Sequence, residues 1–213
     1  CSTKWMVGTV NSFYIGIIAT AIATGLGTMA ALGLSRPHMP YKALIMSILI
    51  SPMIVPLIIT AAGMFFFYAR INLVYTFTGV ILAHVALATP FVVITVTATL
   101  VGFDMNMVKA AQSLGAKPMR TFFKVIMPLI LPGIISGALF AFITSFDEVV
   151  IVMFMASIDQ LTIPKQMWAG IRQEISPVIL CMATCLVILS IVLLTTVELL
   201  RRRAERLRGI KAR

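Results

Sequence analysis

At 213 residues, with 60% hydrophobic and 11% charged residues and a mean hydropathy of +1.05, the chain is too apolar to be a soluble domain. Its net charge of +10 does not point to nucleic acid, because the basic residues sit in short loops and a tail without interleaved exposed aromatics. Runs free of Asp, Glu, Lys and Arg cover Trp5 to Ser35, Ala43 to Ala69, Ile71 to Phe103, Val125 to Phe146 and Ile175 to Val197. Each is long enough for the ~20 residues of a spanning helix, which predicts an all-α, polytopic membrane bundle of five spans.

In chain order, the sequence starts at Cys1, which is expected to mark a fragment; a lipid-modified mature cysteine is the alternative. The first span, Thr9 to Leu34, carries Gly16, Gly25, Gly27 and Gly33, which predicts a face where neighbouring helices approach closely. The second, Ala43 to Tyr68, contains Pro52 and Pro56 on one face and is expected to bend or unwind there, as a structural kink or as the lining of a path. The third, Gly79 to Leu100, holds His84 and Pro90. His84 reads as a hydrogen-bonded bundle residue, since no second metal-ligating side chain stands at metal spacing beside it.

Gly102 to Pro128 is the one long amphipathic segment between apolar runs. Asp104 suits the N-cap of a short helix from Met105 to Leu114, Gly115 is placed to end it in the left-handed conformation, and Pro118 suits the first turn of a second short helix. Met107, Val108, Ala111 and Leu114 recur at helical spacing, giving an apolar face that calls for a partner. The fourth span is predicted from Leu129 to Ala156 and the fifth from Pro177 to Leu200, joined by a loop with a short interfacial helix around Pro164 and Trp168. Cys181 and Cys185 read as small residues facing lipid or protein, and with Cys1 they make no disulfide framework.

Orientation follows from the basic residues. Placing the amphipathic loop in the cytoplasm puts thirteen of the 17 Lys and Arg residues inside and four outside, so the loop and the C-terminus are expected to be cytoplasmic.

KAAQSLGAKPMRTFFKVIMP resembles the cytoplasmic EAA loop of permease subunits of binding-protein-dependent ABC importers. Ala110, Ala111, Gly115 and Pro128 match at the family's spacing, whereas its glutamate is Lys109 here, its isoleucine Val125 and its leucine Met127. AHVALATPFVV, Gly-Phe-Asp before the loop, Ser145 to Val150 and LTIPKQMWAGIRQEISP narrow the resemblance to polyamine-type importers, with iron, opine and other small-solute permeases sharing parts of the pattern. The resemblance implies one transmembrane domain over residues 1–213 with a coupling loop at 102–128, and a MetI-like fold of six core helices whose first is missing here. It also implies a bacterial inner-membrane location, an ABC ATPase dimer docked on the coupling helix, a second and different permease chain, and an extracytoplasmic solute-binding protein. The chain itself has no GxxxxGK[ST] phosphate loop, so ATP with Mg²⁺ is expected in the partner ATPase and no cofactor in this chain.

Asp147 and Glu148 fall inside the predicted fourth span, where an acid costs a few kcal/mol unless it faces protein or water. For a cationic solute such as putrescine or spermidine, they would replace water around ammonium groups, with Phe142 and Phe146 one turn earlier adding cation–π contacts. The alternative is a structural acid, bonded in the bundle or seated at the outer interface. A self-contained secondary transporter lacks support because no internal repeat is visible, and a membrane enzyme because no catalytic set is.

Overall fold

A computed structural model describes residues 3–36, 39–101, 105–173 and 177–207. The expected cap Asp104, together with Gly102, Phe103 and His38, lies outside them. All regular structure among the described residues is helical: α1 (Thr3–Leu34), α2 (Lys42–Ile54), α3 (Leu57–Arg70), α4 (Phe77–Val101), α5 (Met105–Ser113), α6 (Pro118–Thr121), a π-helical stretch (Phe122–Ile126), α7 (Met127–Phe146), α8 (Val150–Met155), α9 (Ile163–Gln173) and α10 (Pro177–Leu207).

The core is a three-helix seam. α1 packs on both α4 and α7, and α4 packs on α7. Burial along α1 recurs at Gly8, Ser12, Ile15, Ala19, Ala23, Gly27, Ala31 and Leu34, three or four residues apart, so mostly small side chains share one stripe. A methyl group built on Gly27 would lie 2.6 Å from Val92 Cβ, and one on Gly137 would lie 3.0 Å from Val92 Cα. These glycines are where the backbones close up. Two of the four glycines expected to do this on α1 do not: a Cβ on Gly25 or Gly33 meets nothing within 4 Å. The hydroxyls of Thr89, Thr95 and Thr99 donate to carbonyls of α4's own preceding turn, which satisfies them without water.

α1, α4, the helix from Pro118 to Phe146 and the first part of α10 are each long and apolar enough to cross a membrane, and the α2–α3 pair makes the fifth crossing if counted as one broken span. The predicted proline effect is large: the chain turns by 102° between Ile54 and Leu57. Pro56 cannot donate to the preceding turn, and Val55 is extended (ψ 137°), so the ladder stops completely.

Two span boundaries need correction. The second short helix of the amphipathic loop is instead the start of the fourth crossing, which runs from Pro118 to Phe146 as 29 helical residues. Pro128, expected to mark a boundary, is passed because the turn before it widens: the Met127 N–H donates to Phe122 O in π-helical fashion, making room for the pyrrolidine ring. The same crossing ends early. Asp147 has φ −89° and ψ −1°, and after Val149 the separate helix α8 begins, so the predicted continuous span to Ala156 is broken at the acids.

Candidate functional site

The corner between α5 and α6 is built from backbone bonds. Gly115 N–H donates to Gln112 O (2.9 Å) and Ala116 N–H to Ala111 O (3.0 Å), the paired bonds of a Schellman ending. That ending requires a left-handed residue, and Gly115 supplies it at φ +77°. Ala110 O accepts the Leu114 N–H (3.1 Å), so the two matched alanines carry carbonyls that close the helix. Pro118 then occupies the first turn of α6, after Lys117 in extended conformation. The side chain of Lys109 is exposed, as are Met107 and Leu114, the latter 89% accessible. The apolar stripe of α5 is therefore largely uncovered by this chain.

The acid pair sits at the other end of the Pro118–Phe146 helix. From Val125 to Phe146 the helix rises about 33 Å, close to the ~30 Å of a hydrocarbon core. The acids thus emerge at the far boundary from the corner, and not in the middle of a span. Their surroundings differ. Asp147 is exposed, whereas Glu148 is buried at 8% accessibility and its Oε1 accepts the Ile151 N–H at 2.8 Å. Glu148 caps the first turn of α8, where a carboxylate also meets the positive end of the helix dipole.

Phe142 and Phe146 stack on each other with centroids 5.3 Å apart, and Phe13 of α1 stands edge-on to Phe146 at 4.9 Å. Phe146 is buried in this cluster, while Phe142 is half-buried and leans over Gly16, where a Cβ would come within 3.2 Å of its ring. The aromatics therefore fasten α7 to α1 directly beneath the acids. One turn inward, Ser145 Oγ and His84 Nδ1 are hydrogen-bonded at 2.8 Å, both buried. His84 is a bundle residue, as its isolation in the sequence indicated. Among the described residues no group of His, Cys, Asp and Glu stands close enough to hold a metal.

Sequence reasoning missed how the segments at the acid end are tied down. Asn11 Nδ2 donates to the carbonyls of Asp159 (2.8 Å) and Leu161 (3.0 Å), and the Ile163 N–H that opens α9 donates to Ser12 Oγ (2.9 Å). Gly8 lets this approach happen, since a Cβ there would lie 2.9 Å from Gln166 Oε1. Lys165 Nζ donates to Ala156 O (2.7 Å) and Val152 O (3.2 Å) at the end of α8. Burial lowers the Lys165 pKa from the ordinary lysine value. A polar Asn-Ser pair at the buried face of an apolar helix was the available signal for the α1–α9 tie.

Comparison with known proteins agrees with this geometry. Residues 23–206 match the family model described as binding-protein-dependent transport system inner membrane component. The spermidine/putrescine transport system permease protein PotC of Haemophilus influenzae is 29% identical over 194 residues, covering 91% of this chain and 76% of that protein. The putrescine transport system permease protein PotI of Escherichia coli K12 is 30% identical over 200 residues, covering 86% and 71%. The crystal structure of an amino acid ABC transporter with histidines superposes with a TM-score of 0.69 at 19% identity, covering 94% of both chains, which is a likeness of fold. With four helices long and apolar enough to cross a membrane and one sharply bent pair among the described residues, and a family match over most of its length, the chain belongs to the binding-protein-dependent inner membrane components, the multi-pass permease subunits of ABC importers.

Proposed function

We propose that this chain forms the translocation path for a polyamine such as putrescine or spermidine, with Asp147 as the carboxylate that meets the cationic solute at the outer mouth. The observation that carries this reading is the unequal setting of the two acids: Asp147 is exposed at the end of α7, while Glu148 is committed to a backbone N–H. An accessible carboxylate at the end of the helix that carries the half-buried Phe142 suits an alkylammonium group, which gains from charge and from a ring face where one is within reach. The polyamine permeases among its relatives support the same substrate class.

Permeases of this family work with an ATPase subunit and a solute-binding protein. In our reading the ATPase is a dimer that docks on α5, through Ala110, Ala111 and the exposed Met107 and Leu114, and holds the ATP and Mg²⁺. Lys109 stands at the edge of that contact with a charge opposite to the family's glutamate, so its counterpart on the ATPase is expected to be acidic. Gly115 and Pro128 set the angle between α5 and the crossing it moves. The second permease is a different chain, the corner and C-terminus are cytoplasmic, and the solute-binding protein docks on the opposite side. Competition tests the substrate: uptake of labelled spermidine by vesicles holding the complete complex should fall with unlabelled putrescine or spermidine and not with a neutral amino acid or disaccharide. Equal competition by neutral solutes would remove the polyamine reading and leave the importer assignment intact; a permease for another small solute is then the remaining reading.

A further inference from the structure

A six-residue helix cannot satisfy itself. In α8 most N–H and C=O groups lack partners within the helix, so what holds it must come from outside. At its start, Glu148 Oε1 takes the Ile151 N–H. At its end, Met155 O accepts the Tyr75 N–H at 2.9 Å, and Val152 O and Ala156 O both accept from Lys165 Nζ. Lys165 reaches them from α9, which is itself fastened to α1 by Asn11 and Ser12. Among the described residues this half-buried ammonium bonds to two neutral carbonyls, which places it where the negative end of the α8 dipole lies.

We propose that Lys165 is a positioning residue for the acid-bearing break: by clipping the carbonyl end of α8 to α9, it fixes the direction in which Asp147 leaves α7. Two residues, Glu148 and Val149, separate Asp147 from α8, so a rotation of α8 is passed directly to Asp147. Glu148 and Lys165 hold α8, a helix about 9 Å long, from its two ends. Removing either leaves the other end attached, so the expected result is a misdirected α8 and not an unfolded bundle. The link to transport rests on the reading of Asp147 as the path acid; the link to α8 does not.

The test uses the assembled complex with Cys1, Cys181 and Cys185 replaced by Ala and a reporter cysteine at Met153, an exposed position on α8. Lys165→Met, which keeps length and deletes the donors, is expected to change the maleimide labelling rate of Met153→Cys about fivefold or more, since a charge-assisted bond pair no longer restrains the helix. In the same variant without the reporter, uptake of labelled spermidine per complex should fall about tenfold, with membrane abundance unchanged and Lys165→Arg restoring most of it. Lys165→Gln, which keeps N–H donors but loses the charge and some reach, should lie between them. An unchanged labelling rate in Lys165→Met overturns the proposal whatever uptake does. Normal uptake with altered labelling overturns the link to transport. A loss of uptake that Lys165→Arg does not recover, tracking lost protein in the membrane, assigns Lys165 to folding alone and also overturns it. If labelling shifts as expected while Asp147→Asn transports normally, the clip stands and the reading of Asp147 falls.

Discussion

Substitution of Gly115 separates backbone strain from crowding. Its φ is +77°, and a Cβ built there meets no atom within 4 Å, so the penalty for a side chain is conformational and not steric. An L-residue held in the left-handed region costs roughly 1–2 kcal/mol, less for Asn and more for a β-branched residue. A cost of that size lowers the intact corner relative to its opened form by roughly 5- to 30-fold. Opening also releases the Gly115–Gln112 and Ala116–Ala111 bonds together, which makes the corner an all-or-none element. In complexes carrying Gly115→Asn, Gly115→Ala and Gly115→Val, ATP hydrolysis stimulated by loaded binding protein and solute uptake should fall in that order. Membrane insertion should stay equal in all three. Wild-type transport by Gly115→Val, or a defect in Gly115→Asn deeper than in Gly115→Val, would refute the reasoning.

Three further outcomes are expected. Gly27→Ala should lower thermal stability by about 1–3 kcal/mol, because its methyl would collide with Val92, whereas Gly25→Ala, in open space on the same helix, should be neutral or slightly stabilising in the same melting assay. Ser12→Ala leaves the buried Ile163 N–H without its acceptor and should cost about 1–2 kcal/mol, read as faster hydrogen exchange across the start of α9. For topology, cysteines at Lys117 and at Ile158, 84% accessible, should label from opposite sides of the membrane; Gln160 is unsuitable because it is buried and binds the Ser157 N–H and hydroxyl.

Features written as local periodicity were legible in the sequence. Charge-free runs gave the crossings, and the Gly115–Pro118 spacing gave a corner whose dihedral angle and bonds follow from glycine's freedom and proline's fixed φ. The Glu198–Arg202 pair, whose i,i+4 spacing puts both side chains on one face of α10, is bonded at 2.7 Å. Features that depend on distant partners were not legible. Gly25 and Gly33 look the same in sequence as Gly16 and Gly27, and only the position of α4 and α7 separates them. The break after Phe146 has no proline or glycine to announce it. It forms where Glu148 turns its carboxylate to the Ile151 N–H, and α8 is completed by Tyr75 and Lys165 from elsewhere in the chain. That break also separates the two acids by environment, a difference that adjacency in the sequence concealed.

The most direct test of the path reading is uptake of labelled spermidine by vesicles containing the complete complex, with ATP hydrolysis stimulated by loaded binding protein measured in parallel. Asp147→Asn keeps shape and hydrogen-bonding capacity and deletes the charge, so uptake should fall about tenfold or more while stimulated hydrolysis persists. Glu148→Gln retains an oxygen for the Ile151 N–H and should lose much less. Uptake at the wild-type rate in Asp147→Asn, or a loss confined to Glu148→Gln, would contradict the account.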